Sequence, residues 1–227
     1  MIAPLPCNET ERLAALRRYG ILDTPPEATF DDITRLVAYI CQAPVAVINF
    51  IDDGRQWFKS EIGLGIKETP LDVSICAHAI LQPSLFVVPD TRVDPRFADN
   101  PLVARDGGPR FYAGALLETA DGHALGTLYV LDYVPRELTE EQKASLGALA
   151  RQVMIQLELR RSLTAQAGLL KESEQAQGRI ATLNEALSQQ VKEYERVVRD
   201  LRPITIGPAG ETHGPGEIRG GRRWARA

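Results

Sequence analysis

Residues 111–132 read Phe-Tyr-Ala-Gly-Ala-Leu-Leu-Glu-Thr-Ala-Asp-Gly-His-Ala-Leu-Gly-Thr-Leu-Tyr-Val-Leu-Asp. Two short apolar runs flank the dipeptide Asp121-Gly122, which favours a tight hairpin turn because both residue types tolerate positive φ. The pattern therefore predicts strands at Phe111–Glu118 and His123–Leu131, joined as an antiparallel hairpin. The rest of the sheet can be built outward from this hairpin.

The segment before the hairpin predicts a cover for one face of the sheet. Residues 72–80 read Asp-Val-Ser-Ile-Cys-Ala-His-Ala-Ile, a short helix that Asp72 or Ser74 can cap and that extends to about Leu81. A strand follows at residues 85–88, and a loop stiffened by two prolines follows that strand. A sheet with a helix and loops over one face is a scaffold that can enclose a small molecule.

The first third of the chain predicts two helices and two further strands. One helix begins after Asn8 and ends at Gly20, and a second covers about residues 27–42, with apolar side chains at steps of three and four. The spacing then shortens to alternation over residues 45–51 and again over residues 56–62. The sequence therefore predicts an α/β (α+β) fold with a central antiparallel sheet of five or six strands.

A long helix is predicted downstream of the hairpin. Thr139-Glu-Glu-Gln142 has the pattern of a capping box, and no proline occurs between Pro135 and Pro203. We expect one helix over residues 139–201, or two helices with a soft joint. If it is fully helical, this segment spans roughly 95 Å.

Apolar residues near the end of this helix have the spacing of a coiled coil. Two consecutive steps of four residues meet at Leu187, which is what a stutter does to a heptad pattern. The pattern predicts a dimer formed through Ile180, Leu183, Leu187, Val191, Tyr194, Val198 and Leu201. Residues 203–227 are rich in glycine, proline and arginine, so a disordered tail is predicted there.

Composition and charge argue against several classes of protein. The 227 residues, 44% hydrophobic and 25% charged, suit a globular domain with an appendage. A net charge of −4 argues against nucleic acid as a partner, and no apolar run is long enough to suggest a membrane span. The N-terminus has no signal-peptide pattern, and Cys7, Cys41 and Cys76 form neither a CxxC pair nor a zinc pattern. We therefore expect a cytoplasmic protein with reduced thiols.

The segments from Asn8 to Arg161, in their order and in their amino-acid sequences, resemble a GAF domain, the small-molecule sensor module of bacterial signalling proteins. They are similar to the GAF domains of sensor histidine kinases and diguanylate cyclases. The resemblance implies strand order 2-1-5-4-3, with helices on one face of the sheet and the lid helix and loops on the other. Together with the apolar spacing and the composition described above, it predicts a GAF domain with its N-terminal helix over residues 1–161, a coiled-coil helix over 162–202 and the tail over 203–227. Because no output domain follows, we expect either a separate output protein or a chain that has lost its effector domain.

The segment Cys76-Ala-His78 suggests chemistry more than any other part of the chain. Bilin-binding GAF domains attach their pigment through a cysteine, and the free methionine sulfoxide reductases are built on GAF domains. A redox- or chromophore-linked sensor and a reductase-like enzyme therefore stay open as alternatives. Residues i and i+2 of a helix do not face one another, and a reductase needs a second thiol beside the first, which the region from Phe86 to Tyr112 does not supply. We expect Cys76 to be a small buried residue and His78 a hydrogen-bonded one.

Aromatic and polar residues of the sheet and the lid form the predicted ligand pocket. Trp57 and Phe58 point to opposite faces of one strand, so at most one of them can face it. The aspartates and arginines of the lid fit either recognition of a polar ligand or the capping of turns. The candidate residues are Trp57, Ile75, Cys76, His78, Asp90, Phe97, Phe111, Tyr112 and Tyr129.

The motifs that would mark an enzyme are incomplete. The sequence holds no full kinase, cyclase or reductase signature, no calcium loop and no phosphate loop. We therefore expect a non-catalytic sensory or regulatory domain that binds an unidentified small molecule or a partner surface. A ligand that binds one arrangement of the lid better than another would bias the packing of a helix pair. The expected partners are that ligand, a second copy of the chain and a separate output protein, and the sequence specifies no cofactor.

Overall fold

The fold is built on an antiparallel sheet covered differently on its two faces. A computed structural model describes residues 3–200 of the chain. The helices are α1 (Glu9–Arg18), α2 (Ala28–Cys41), α3 (Cys76–Ala79), α4 (Pro101–Ala104) and α5 (Glu140–Asp200). The strands are β1 (Val45–Ile51), β2 (Arg55–Ile62), β3 (Glu68–Pro70), β4 (Leu85–Val88), β5 (Phe111–Glu118) and β6 (Ala124–Asp132). Their order across the sheet is β3-β2-β1-β6-β5-β4.

The predicted strand order is confirmed. The five predicted strands lie side by side as β2-β1-β6-β5-β4, and each pairing is antiparallel. The hairpin of β5 and β6 turns at Gly122, whose φ is +82°. The short strand β3, which was not predicted, adds an edge by pairing Glu68 with Trp57. Three residues are too few to show the alternating pattern by which a strand is predicted.

Side-chain alternation along the strands divides the core in two. The helix-side core lies between the sheet and helices α1, α2 and α5, and includes Phe30, Ile33, Val37, Ala46, Ile48, Phe50, Leu146, Ala150, Val153 and Leu157. The lid-side core lies on the other face and includes Val45, Val47, Phe58, Ile75, Val88, Phe97 and Tyr112. Burying a large apolar side chain contributes roughly 1.5–3 kcal/mol, so Leu146, Val153 and Leu157 hold the first part of α5 on the sheet.

Helix α1 is fixed to the sheet by a buried arginine. Arg12 is 0% exposed, and its Nη1 donates to the carbonyl oxygen of Ile51 at 2.8 Å and to that of Ala124 at 3.3 Å. Glu9 accepts two further hydrogen bonds from the same guanidinium, of 2.6 and 2.7 Å. A buried charge is tolerated when it is paired and hydrogen-bonded, so α1 belongs to the folded unit.

The ends of α1 follow the sequence prediction in position but not fully in bonding. Asn8 is the N-cap residue, yet its side chain makes no cap hydrogen bond. Its amide nitrogen lies 3.4 Å from Nδ1 of His123, and the predicted capping box does not form. At the other end Gly20 has a φ of +52°, a left-handed conformation that glycine adopts without steric cost.

The lid helix is shorter than predicted. Helix α3 spans only Cys76–Ala79, and a 3-10 turn at Leu71–Val73 precedes it. Ser74 still caps it, because its Oγ accepts a hydrogen bond from the backbone N–H of Ala77 at 3.1 Å. The proline loop contains a further short helix, α4, which Asn100 caps and which was not predicted.

Helix α5 is continuous over its 61 residues. The predicted capping box is confirmed, since Gln142 N–H donates to Thr139 Oγ1 at 3.3 Å and Thr139 N–H donates to Gln142 Oε1 at 3.0 Å. By its internal contacts the chain divides into two units, residues 1–169 and residues 170–227.

Two predictions fall on residues that the structure does not describe. The tail over residues 203–227 and the last coiled-coil position, Leu201, lie beyond the described range. Within that range, no helix combines the length and the apolar character that crossing a membrane would require.

Candidate ligand pocket

A cavity of about 150 Å³ lies on the lid face of the sheet. The strands β2, β5 and β6 provide its floor, and the loops before α3 and around α4 provide its walls. Apolar side chains line most of it, among them Phe58, Leu64, Ile66, Ile75, Leu102 and Leu131. The polar lining residues include Gln56, Ser74, Cys76, Arg105, Tyr112 and Tyr129.

Two stacked tyrosines form the centre of the floor. The rings of Tyr112 and Tyr129 lie 5.4 Å apart between centroids, with an interplanar angle of 27°. Tyr112 lies over Gly114 of its own strand, so that a Cβ added to Gly114 would lie 2.3 Å from the Tyr112 hydroxyl oxygen. Gly114 therefore makes room for the ring, which is why an apparently weak strand residue occurs in the middle of β5.

A series of buried side-chain hydrogen bonds begins at the hydroxyl of Tyr112. The hydroxyl of Tyr112 donates to Cys76 Sγ at 3.3 Å and lies 3.4 Å from Thr127 Oγ1. Thr127 Oγ1 in turn donates to Asn49 Oδ1 at 2.5 Å. Among the described residues, Asn49 Nδ2 is a buried donor without a hydrogen-bond partner. Because buried polar groups are costly unless they are bonded, this chain fixes Tyr112 and Cys76 relative to the sheet.

A second chain of hydrogen bonds connects the lid to strand β2. Ser74 Oγ, which caps α3, donates to Gln56 Oε1, and Gln56 Nε2 donates to Tyr129 OH at 3.5 Å. The lid helix, one strand of the floor and one floor tyrosine are thus in a single bonded path.

Three buried ionisable groups that line the cavity, Cys76, Tyr112 and Tyr129, are neutral near physiological pH. Burial, with smaller opposing hydrogen bonds, raises the pKa of the Cys76 thiol to about 11. Burial likewise raises the pKa of Tyr112 and of Tyr129 well above the ordinary phenol value. A thiol that stays protonated is a poor nucleophile, so the arrangement favours binding over covalent chemistry at Cys76.

Of the nine predicted pocket residues, four line the cavity. These are Ile75, Cys76, Tyr112 and Tyr129. Trp57 and Phe111 lie on the opposite face, in the helix-side core, so the prediction that placed them in the pocket is wrong. The reason is the alternation of strand side chains: Trp57 is adjacent to Phe58, which lines the cavity, and Phe111 is adjacent to Tyr112.

His78, Phe97 and Asp90 are part of the lid but do not line the cavity. His78 meets the edge of Phe97 with ring centroids 5.0 Å apart, and burial, assisted by the charge of Arg96, lowers the pKa of His78. Phe97 also packs within the lid-side core and is 1% exposed. Asp90 accepts two hydrogen bonds from Arg110. These three residues therefore build the lid rather than the binding surface.

The lid aspartates act as turn caps. Asp90 Oδ1 accepts from Arg92 N–H at 3.1 Å, and Asp94 Oδ1 accepts from Arg96 N–H at 2.9 Å. The same carboxylates pair with arginine side chains, and the hydrogen bonds of Arg96 hold the pKa of Asp94 below its ordinary value despite some burial. Of the two predicted roles, turn capping is the one these contacts support.

Sequence reasoning missed Gln56, Phe58 and Ser74 as lining residues. Phe58 could have been found, because it alternates with Trp57 and an aromatic residue was expected to face the pocket. Gln56 shares the face of Phe58 at a separation of two residues. Ser74 was predicted as a helix cap, but nothing in the sequence shows that the same hydroxyl also donates to Gln56.

An ion-pair cluster lies behind β2, on the helix side. Lys59 has a side chain with 0% exposure, and its Nζ donates to Glu27 Oε1 at 2.7 Å. Glu27 also accepts from Arg160 Nε at 3.2 Å, and Arg160 Nη1 donates to the carbonyl oxygens of Tyr19 and Gly20. Burial alone would raise the pKa of Glu27, but Lys59 and Arg160 lower it below its ordinary value. The cluster joins β2 to the last partly buried turn of α5.

The predicted coiled-coil residues lie on α5 with exposed side chains. Exposure is 59% for Leu187 and 48% for Val191, and the other described positions are Ile180, Leu183, Tyr194 and Val198. These residues lie in the second unit of the chain.

The sheet order, the lid and the cavity together define the class of this protein. A family model of the GAF domain matches residues 25–157, and the chain belongs to the GAF domain family. Over 160 residues it is 42% identical to a cyclic di-GMP phosphodiesterase of Pseudomonas aeruginosa, a match that covers 70% of this chain and 27% of that protein. Among solved structures, it is similar to the GAF domain of an Acinetobacter phosphoenolpyruvate-protein phosphotransferase, with a TM-score of 0.51, 15% identity, and coverage of 70% of this chain and 97% of that one.

Proposed function

We propose that this chain is a non-catalytic sensory GAF domain over residues 1–161 that binds a small molecule in the lid-face cavity and passes a change of state to helix α5. The observation that carries the proposal is the position of β2. Gln56 and Phe58 of this strand line the cavity, whereas Lys59 points to the other face and is bonded to Glu27. One strand thus contacts both the binding site and the path to α5.

The proposed signal route has two connected parts. On the lid face, the bonds of Ser74 to Gln56 make β2 sensitive to whether the lid is held down by a ligand. On the helix face, the ion pairs of Lys59 with Glu27 and of Glu27 with Arg160 transmit a shift of β2 to α5. A ligand can bias this path only through a difference in affinity between two arrangements of the lid.

The ligand-binding step is tested by filling the cavity. Val73 lines it and is half-buried, so Val73→Phe should occupy its space, whereas Val93 is 77% exposed and lies away from it. Native mass spectrometry of freshly purified protein should show a small molecule retained by the wild type and by Val93→Phe but absent from Val73→Phe. Equal retention by both variants would contradict binding in this cavity.

The output step in this proposal is dimerisation through the exposed stripe of α5 that includes Leu187 and Val191. Apolar side chains exposed at coiled-coil spacing become buried when two helices pair. Leu187→Lys should convert a dimer to a monomer in light scattering, whereas Gln189→Lys, on another face of the helix, should not. A wild-type chain that is monomeric at all accessible concentrations would rule out this step.

The similarity to a cyclic di-GMP phosphodiesterase supports a further part of the proposal: the regulated output belongs to cyclic di-GMP signalling and is carried by a segment or protein other than this domain. The chain spans 27% of that relative. Purified protein should therefore leave cyclic di-GMP intact when incubated with magnesium or manganese. Hydrolysis that copurifies with the chain would mean that the domain itself is an enzyme.

A redox- or chromophore-linked sensor using Cys76, or a reductase-like enzyme, is the competing function. The position of Cys76 in the cavity favours it. Against it stand the raised pKa of that thiol and the place of Cys41 in the other core, where it cannot act as a resolving thiol. Mass spectrometry should show no adduct on Cys76, and Cys76→Ser should keep its ligand.

A further inference from the structure

We infer that the cavity takes a small carboxylate whose apolar body is about the size of one six-membered ring, with Arg105 as the residue that recognises the carboxylate, and that it does not take a cyclic dinucleotide. This inference rests on the proposed binding function of the same site. It adds the chemical class of the ligand, from the volume, the lining and the charge of the cavity.

The volume limits the body of the ligand. A cavity of about 150 Å³ is the size that holds a benzene molecule in an engineered protein core. Pockets for drug-sized ligands occupy roughly 300–1,000 Å³. A cyclic dinucleotide contains two bases, two riboses and two phosphates, so it exceeds the available space severalfold.

The lining determines which part of the ligand enters. Phe58 and Leu131 give the interior an apolar surface, and the buried lining groups Cys76, Tyr112 and Tyr129 are all neutral. A charge placed against such a floor would lose its hydration without a counter-charge in return. The apolar body therefore enters first, and a charged group stays toward the mouth.

Arg105 is the one charged residue that lines the cavity within the described part of the chain. Its backbone is fixed, because its carbonyl oxygen accepts from Gly108 N–H at 3.0 Å and from Arg92 Nη2 at 3.1 Å. Its guanidinium has no carboxylate partner among residues 3–200. Two other lid arginines differ, since Arg96 is paired with Asp94 and Arg110 with Asp90. Arg92 has no ion pair in the described part of the chain either, but it does not line the cavity.

The side chain of Arg105 is exposed, so its guanidinium is accessible to a charged group at the mouth of the cavity that this residue lines. An unpaired guanidinium offers a planar fork that matches a carboxylate in two parallel hydrogen bonds. A monocarboxylate on a ring-sized apolar body meets the requirements of the mouth and of the interior together.

The test uses benzoate, its uncharged counterpart benzamide, and cyclic di-GMP as probes in calorimetric titrations of the full chain. Wild-type protein should bind benzoate at least tenfold more tightly than benzamide and should not bind cyclic di-GMP. Arg105→Gln should weaken benzoate at least tenfold and leave benzamide unchanged, and Arg105→Lys should recover part of the loss. The matched control is Arg17→Gln, at an exposed arginine of α1 whose side chain makes no hydrogen bond or ion pair in the described part of the chain.

The outcomes separate this inference from the proposed function. Equal affinity of benzoate and benzamide, or an Arg105→Gln variant that binds benzoate normally, would overturn the carboxylate assignment. If the wild type binds cyclic di-GMP and Val73→Phe abolishes that binding, the size limit on the ligand is wrong, but the proposed ligand-binding function stands. A copurified ligand lost in Val73→Phe, together with no benzoate binding, would likewise refute only the ligand class. No ligand and no probe binding at all would remove both.

Discussion

Substitution of the two partners of the ion pair behind β2 should lower the stability of the fold by unequal amounts. Lys59 is fully buried and donates to three acceptors: Glu27 Oε1 at 2.7 Å, Thr24 Oγ1 at 2.8 Å and the carbonyl oxygen of Pro25 at 2.6 Å. Glu27 retains 36% side-chain exposure and has Arg160 as a second partner. Removal of the carboxylate therefore leaves a buried cation, whereas removal of the ammonium leaves a carboxylate that is still paired and hydrated.

The magnitudes follow from this asymmetry. Stranding a fully buried charge costs about 3–5 kcal/mol. Because Glu27 is partly exposed and two neutral acceptors remain on Lys59, we expect Glu27→Gln to lower the free energy of unfolding by about 2 kcal/mol. Lys59→Met replaces the buried cation with an unbranched apolar side chain of similar size, so it should cost less than about 1 kcal/mol.

The pH dependence gives a second measure of the same contact. The pKa of Glu27 is lower in the folded chain than its ordinary value of 4.5, so its contribution is present above that value and is lost as pH falls through the folded pKa. The stability difference between wild type and Glu27→Gln should therefore be constant between about pH 7 and 5 and shrink below about pH 4.5.

Urea unfolding followed by circular dichroism measures both variants, and residues 1–161 alone, if they fold as proposed, provide a simpler two-state system. A Lys59→Met variant that is less stable than Glu27→Gln would refute the reasoning. It would mean that the contacts of the Lys59 ammonium contribute more to stability than the burial of its charge costs. A difference between wild type and Glu27→Gln that persists unchanged below about pH 4 would show that the carboxylate charge is not what matters.

Three other outcomes are expected. Gly114→Ala should destabilise the domain by about 1–3 kcal/mol in urea unfolding, because the new Cβ would meet a tyrosine that is 0% exposed and cannot yield. Gly168→Ala, where no atom lies within 4 Å of the added Cβ, is its control and should stabilise α5 by up to about 1 kcal/mol. In native protein at about pH 8, iodoacetamide should label exposed Cys7 but not buried Cys76, as peptide mass spectrometry would show, and labelling of both at similar rates would contradict the burial of Cys76. Residues 1–161 expressed alone should keep a cooperative thermal transition, since Arg161 still contacts the Tyr19 ring and the side chains of residues 162–200 are exposed, and loss of the transition would contradict the proposed boundary.

The sheet could be predicted because its signals are local. The Asp121-Gly122 turn, the alternation over residues 45–51 and the change of spacing after α2 each depend on a few neighbouring residues. The strand order itself came from the family resemblance, since spacing along a chain does not specify which strands become neighbours. The edge strand β3 escaped prediction because its pairing with β2 depends on position in the fold and not on its own composition.

The pocket was harder to predict than the sheet because a strand presents two faces and the sequence does not say which face is covered by the lid. Trp57 and Phe111 were assigned to the wrong face for this reason, although each stands next to a residue that does line the cavity. The lid itself depends on long-range hydrogen bonds such as the one from Ser74 to Gln56, two residues that are 18 positions apart in the chain. Such contacts produce no periodic pattern in the sequence from which they could be predicted.

The buried Arg12 bears on where this module can be cut. The family match begins at residue 25, yet Leu16 and Ile21 are fully buried and the guanidinium of Arg12 fills the hydrogen-bonding needs of two strand carbonyls. A chimaera that grafts the domain onto a foreign effector at residue 25 would carry an open core and two orphaned acceptors. Fusion points for biosensors made from this chain therefore belong upstream of Asn8, at a junction some seventeen residues earlier than family boundaries suggest.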